Sequence, residues 1–231
     1  MKLSKVFFLF ATILIFTSCS NDKALRAKAN MLAHKFIITD GHIDTPWKLS
    51  KNYEDISLRT KTGDFDYIRA KEGGLDVPFM AVYIPSSYLE TGGAKEKADS
   101  LIDMVEQIAA KDPDKFEIAY SLADANRIFK EGKVALPMGM ENGAGIEDDI
   151  SNLKHFYDRG IRYITLTHSK DNLICDSSYD ESDDTWGGLS PYGRKVVKEM
   201  NRLGIMVDIS HVTDEVINQV MDMSDVPVVA T

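Results

Sequence analysis

Six short apolar runs recur along this chain, and from the second onward each is separated from the next by stretches whose apolar residues return at helical spacing. The runs are Phe36–Thr39, Val77–Ile84, "KVALPMGM" ending at Met140, "IRYITLTH" over 161–168, "IMVDISH" over 205–211 and "VPVVAT" over 226–231. The helical stretches are Ala94–Ala110, with Leu101, Met104, Val105 and Ile108 in phase, then Leu122–Lys130, Ile146–Arg159, Pro191–Leu203 and Thr213–Met223. Lys111, Asp112 and Pro113 stop the first of these, Gly160 and Gly204 stand just past two others, and Asp214 and Glu215 fall in the favourable first turn of the last. Near-continuous apolar strands alternating with helices predict a parallel sheet buried on both faces. Ligand-type residues stand at several strand ends: His42 and Asp44, Glu141, His168 and His211. Several strand ends contributing at once is the habit of a TIM-type (β/α)8 barrel, whereas a doubly wound α/β sheet gathers its site at one crevice. About six strand–helix units are present, so the expected barrel is incomplete.

The first residues read differently. "MKLSKVFFLFATILIFTSCS" has a cationic start at Lys2 and Lys5 and an apolar run from Val6 to Phe16, too short to span a bilayer as a helix. Residues 1–18 are expected to be a lipoprotein signal peptide, because Phe16 to Cys19 resembles the lipobox at which bacterial lipoproteins are cut and lipidated. Cys19 would carry the lipid, 19–34 would form a tether and short helix, and 35–231 the barrel. That places the mature protein outside the cytoplasm, lipid-anchored to a bacterial membrane on its periplasmic or outer-surface side. Only Cys19 and Cys175 exist, so disulfides do not hold the fold. A formal net charge of −9, from 36 acidic against 27 basic residues, argues against nucleic acid as a partner.

His42 and Asp44 stand two apart in "IITDGHIDTPW", so on an extended segment both side chains leave one face. Together they offer an imidazole and a carboxylate to a borderline ion, although Asp44 could equally cap a helix starting at Thr45 and Pro46. Glu141 has two oxygens with which to bridge two ions. His211 closes a strand at the exit where ligands belong. His168 can be a ligand, a hydrogen-bond donor to substrate or a core residue. His34 and His155 fall in helical, solvated contexts. The chain has no G-x-S-x-G elbow, no phosphate-binding G-x-x-x-x-G-K-[ST] loop and no G-x-G-x-x-G after a strand. Cys175 lies near His168, but nothing marks that thiol as activated. The polar, Asp- and Ser-rich stretch 169–188 is long for a structureless loop and is a candidate functional loop.

Taken together, "DGHIDTPW", "GMENG", "RYITLTHS" and "GLSPYGRKVVKEMNRLGIMVDISHVTDE" resemble the membrane dipeptidase (renal dipeptidase-like) family of zinc peptidases, in order, from about residue 32 onward. The resemblance implies a TIM-type barrel with two zinc ions that hydrolyses dipeptides through a metal-bridging hydroxide. His42 and Asp44 match ligands of the first zinc, Glu141 the bridging carboxylate and His211 one of two histidines on the second zinc. His168 matches a substrate-contacting histidine. In the family pattern the other second-zinc histidine, a substrate-gripping arginine and the proton-handling aspartate follow "PVVAT", so the catalytic aspartate is expected beyond Thr231. Six strands cannot close the barrel, and the chain is expected to be a fragment of a longer product. The partners implied are dipeptides and, through the anchor, a membrane; a homodimer is compatible with this reading. Strand-end ligands alone also fit another metal-dependent barrel hydrolase of lactonase or deaminase type. They fit a truncated, inactive lipoprotein with one zinc as well.

Overall fold

The computed structural model describes residues 22–182 and 184–231; the expected signal segment 1–18 and the lipidation position Cys19 lie outside the described residues. In chain order the first elements are α1 (22–33), β1 (Thr39–Ile43), α2 (Thr45–Lys51), α3 (Tyr67–Gly73), β2 (Val77–Tyr83), α4 (Tyr88–Thr91), α5 (Ala94–Lys111) and β3 (Phe116–Ile118). They continue with α6 (Leu122–Lys130), β4 (Val134–Leu136), β5 (Met138–Glu141), a 3-10 turn (Gly143–Ile146), α7 (Ser151–Asp158), β6 (Ile161–Thr165), α8 (Pro191–Leu203), β7 (Met206–Asp208) and α9 (Asp214–Met223).

Five strands pair in parallel in the order β1-β2-β5-β6-β7, while β3 pairs with β4 alone. The order never reverses along the chain, so the sheet curls as part of a TIM-type barrel and has no switch-point crevice. Buried residues of both kinds of element form one core: Met80, Val82, Met140, Ile164 and Val207 from the strands, with Leu101, Val105, Val196, Met200 and Val216 from the helices. Both faces of β2, β5 and β6 are largely covered, which is why those runs are apolar without alternation, while β1 at the sheet edge stays part exposed.

Helix boundaries follow where side chains cap. α8 opens with Pro191 behind Ser190, whose hydroxyl accepts from the Gly193 N–H at 2.8 Å, and it closes on Gly204 at φ 81°. Elsewhere an acidic side chain takes the amide that an uninterrupted element would need. The expected helix Ile146–Arg159 is instead a 3-10 turn and the shorter α7, because Asp149 Oδ1 accepts the Ser151 N–H at 2.9 Å and turns the chain. The first strand lies at Thr39–Ile43 rather than Phe36–Thr39, and the Ile38 N–H is bound by Asp76 Oδ2 at 3.2 Å. Pro137 splits "KVALPMGM" into β4 and β5, which pair with different neighbours. The last run, "VPVVAT", pairs through one parallel bridge, Val229 with Asp208. β6 and β7 end three residues short of His168 and His211, so neither histidine lies within a strand.

Candidate metal centre

Every candidate ligand comes from the carboxyl end of a strand in the five-stranded sheet. His42 is the penultimate residue of β1, Asp44 follows its end, Glu141 closes β5, and His168 and His211 come three residues after β6 and β7. Asp44 does precede α2, but its side chain makes no cap hydrogen bond and turns to His42, with Oδ1 3.7 Å from Nε2. His211 reaches its place with φ at 68°, and Asn142, next to Glu141, has φ at 81°. Left-handed backbone is uncommon outside glycine, and here it flanks two candidate ligands. Asn142 holds its turn with its own amide: Nδ2 donates to the Ile84 carbonyl at 2.9 Å, and Oδ1 accepts the Ala144 N–H at 3.1 Å.

Glu141 divides the site. Its Oε2 lies 3.4 Å from His42 Nε2, and its Oε1 lies 3.1 Å from His211 Nε2 and 3.6 Å from His168 Nε2. One set is therefore His42, Asp44 and Glu141, and the other is Glu141, His168 and His211, each with donor atoms within 4.8 Å of one another. The His168 and His211 rings are 4.5 Å apart. Burial alone would raise the Glu141 carboxyl, but hydrogen bonds from His211 and His42 outweigh it and hold the pKa at about 2. His42 is raised to about 10 by the Asp44 and Glu141 carboxylates beside it. Burial lowers His168 against the pull of Glu141.

These residues fit a pair of ions. Imidazole nitrogens and carboxylate oxygens are the donor types that zinc and its neighbours take, and one carboxylate turns a separate oxygen to each set. His168 Nδ1 is buried without a hydrogen-bond partner. The structure thus brings all five expected residues together, and it places His168 among the candidate ligands.

Groups that the sequence reading passed over hold the ligands. The Tyr163 hydroxyl is 3.0 Å from His42 Nδ1, which leaves Nε2 for the centre. Gly139, opposite Tyr163 in the ladder, makes room for that ring: a Cβ there would lie inside it. The fully buried Asp208 accepts from the Thr165 hydroxyl at 2.6 Å and from the Thr231 hydroxyl at 2.7 Å, and Thr231 Oγ1 lies 3.3 Å from His42 Nδ1. Asp208 was visible as a lone acid inside an apolar run; Tyr163 gave no such signal.

The candidate loop wraps over the same end. Ser177 Oγ donates to the His168 carbonyl at 2.5 Å, the Ser178 N–H to the His211 carbonyl at 2.9 Å, and the Tyr179 ring is 5.4 Å from that of His211. A cavity of about 320 Å3 lies among His42, Glu141, Thr165, Ser210, His211 and Thr231. Cys175 is fully buried and burial pushes its thiol up, so it is no nucleophile. His34 is exposed, in keeping with a solvated helix end. His155 is part exposed on α7, as expected, and pairs there with Asp99 at 2.7 Å.

Comparison with known proteins follows the same lines. Residues 26–231 match the family described as membrane dipeptidase (peptidase family M19). An uncharacterized dipeptidase of Schizosaccharomyces pombe is 35% identical over 215 residues, covering 87% of this chain and 52% of that protein. Dipeptidase 3 of Mus musculus is 30% identical over 222 residues, covering 90% and 43% respectively. The chain spans about half the length of the curated relatives it matches. Among solved structures, the probable dipeptidase PvdM from Pseudomonas aeruginosa superposes with a TM-score of 0.81 at 26% identity, covering 90% of this chain and 55% of that one. A metallo peptidase from Rhodobacter sphaeroides, liganded with a phosphinate mimic of the dipeptide L-Ala-D-Ala, gives 0.74 at 26% identity, over 85% and 64%.

Proposed function

Because this chain belongs to the membrane dipeptidase family, we propose that it carries most of the metal centre of a metal-dependent dipeptidase, with zinc as the ion and two ions per complete site. The observation that carries this reading is Glu141, whose two oxygens face two separate ligand sets at the ends of different strands. His42, Asp44 and Glu141 would hold one ion; Glu141 and His211 would hold the other, with His168 beside them. Bound there, the metals would supply Lewis acidity for the peptide carbonyl and acidify a water towards neutral pH.

The protein's own groups do the rest. Tyr163 fixes the His42 ring so that Nε2 faces the centre. His168, kept near neutrality by burial, can donate a hydrogen bond to the carbonyl oxygen as charge develops there. The loop from Ser177 to Tyr179 closes one flank against bulk water, and Tyr83, 4.9 Å from the His168 ring, closes another. Of the same reading, 1–18 is an export signal and Cys19 a lipid attachment point. The intact mass of membrane-extracted protein tests this, since an unlipidated chain starting at Met1 would remove it.

The experiment for the enzyme reading is zinc-dependent release of alanine from L-Ala-D-Ala by the membrane-extracted native protein, set against opening of a simple lactone. Metal content is measured on Glu141→Gln alongside. Dipeptide cleavage with about two zinc ions per chain, both lost in Glu141→Gln, is the expected result. Lactone opening without dipeptide cleavage would sink the proposal.

A further inference from the structure

Tyr83 borders a second cavity of about 470 Å3, walled by Trp47, Tyr88, Lys51 and Lys97 where α2 and α5 pack together. Lys51 Nζ stands 4.2 Å from the centre of the Trp47 ring, and Lys97 Nζ stands 5.3 Å from it. Among the described residues neither ammonium has a carboxylate within 4.0 Å. Their neighbours on the same helices do: Lys48 pairs with Asp64, and Lys95 with Asp99. In a chain of net charge −9, two cations left without counterions around one aromatic ring are a local reversal of sign. Burial and the Lys51 charge both push the Lys97 ammonium towards deprotonation, a tension that a bound anion would relieve. Ser87 borders the same space and adds a hydroxyl donor, whereas the Thr91 hydroxyl donates to the Ser87 carbonyl at 3.2 Å.

We propose that this cavity is a subsite for the acidic side chain of a dipeptide containing Asp or Glu, whose peptide group lies at the metal centre. The proposal rests on the dipeptidase reading. Trp47, Tyr83 and Tyr88 cover the methylene stem, and Lys51 and Lys97 take the carboxylate. The two places are joined by short steps, 4.9 Å from the His168 ring to that of Tyr83 and 5.1 Å from Tyr83 to Trp47. An extended dipeptide covers about 7 Å and a Glu side chain adds to that reach.

The test uses isothermal titration calorimetry, which needs no reporter side chain. The metal-loaded native protein is titrated with phosphinate mimics, which are not cleaved, of Glu–Ala and Ala–Glu and of their uncharged counterparts Gln–Ala and Ala–Gln. One acidic dipeptide should bind about fivefold more tightly than its amide, the worth of two partly exposed charge pairs. That advantage should disappear in Lys51→Met/Lys97→Met, which should still bind the amide. Lys51→Met alone, at an exposed position that leaves the fold intact, should remove part of it. Equal affinities for acid and amide overturn the proposal, as does an advantage that survives the double substitution. Glutarate binding as tightly as the acidic dipeptide would also overturn it, because that would mark a free-standing anion site. Failure of the dipeptidase reading looks different: none of the four parent dipeptides is cleaved with added zinc, whatever the calorimetry shows.

Discussion

Glu141 and His42 set each other's charge before any ion arrives. In the metal-free protein His42 is raised from 6.5 to about 10, so its imidazolium stabilises the fold fully below 6.5 and stops doing so as pH rises through about 10. An ion needs the neutral ring, and binding between those limits therefore releases a proton. Zinc affinity should rise about tenfold per pH unit from 7 to 9, read by competition with a chromophoric chelator; a flat profile would mean His42 is not a ligand. Glu141 acts in the opposite sense at the acid end, its contribution being present above 4.5 and lost as pH falls through about 2. Gly139 carries a second expectation. Gly139→Ala would push Tyr163 off His42 Nδ1, so it should weaken zinc binding about tenfold, measured by the same competition, while circular dichroism reports whether the sheet survives. The candidate ligands were legible in the sequence because they stand where apolar strand runs end. Tyr163 and Thr231 were not, since their part is a hydrogen bond between segments far apart in the chain and nothing in local spacing encodes it.

At the level of elements, the loop between β6 and α8 is irregular yet closely tied. Asp176 is fully buried and accepts the Trp186 N–H at 2.9 Å and the Gly188 N–H at 2.7 Å. Asp171 takes the Ser177 N–H at 2.7 Å and the Thr185 hydroxyl at 2.7 Å, and Lys170 pairs with Asp180 at 2.9 Å. Charged acceptors on backbone amides each contribute about 1.5–3 kcal/mol. Asp176→Asn should therefore lower stability by about 2 kcal/mol and open the loop to limited proteolysis within 177–188, followed by mass spectrometry. An unchanged cleavage pattern would mean the loop is held by its packing instead. The same chemistry explains which elements could be read in advance. α6 and α8 lie where spacing put them because Ser121 and Ser190 cap them at the residue that the apolar period indicates. The first strand and α7 were displaced because Asp76 and Asp149 take backbone amides, a competition that hydrophobic periodicity does not register.

For the whole molecule, alternation of strands and helices was enough to place the chain in the barrel class, and the uninterrupted strand order bears that out. Six units were expected to leave the barrel unclosed; what periodicity could not show is the lining of the open side. An apolar cavity of about 560 Å3 runs between β1 and the Val229 segment, lined by Ile37, Phe79, Tyr163, Met206 and Val229. A polypeptide of residues 22–231 should bind the dye ANS there and associate reversibly as concentration rises, seen by light scattering after gel filtration. A dye-silent monomer at all concentrations would show that this side is covered. Zinc should also raise the unfolding temperature, the gain being about 2.7 kcal/mol at a hundredfold excess over its dissociation constant.

His42 stands on one margin of the sheet, and the hydroxyl that reaches its Nδ1 comes from Thr231 on the other, itself moored to Asp208. The two margins of the curved sheet thus meet in a single imidazole. Spreading them loosens a ligand, and an ion that immobilises the ligand resists the spreading by the same free energy. Metal occupancy then behaves as a strain gauge for curvature: whatever draws the margins together tightens the ion, and the ion in turn sets how far they can part.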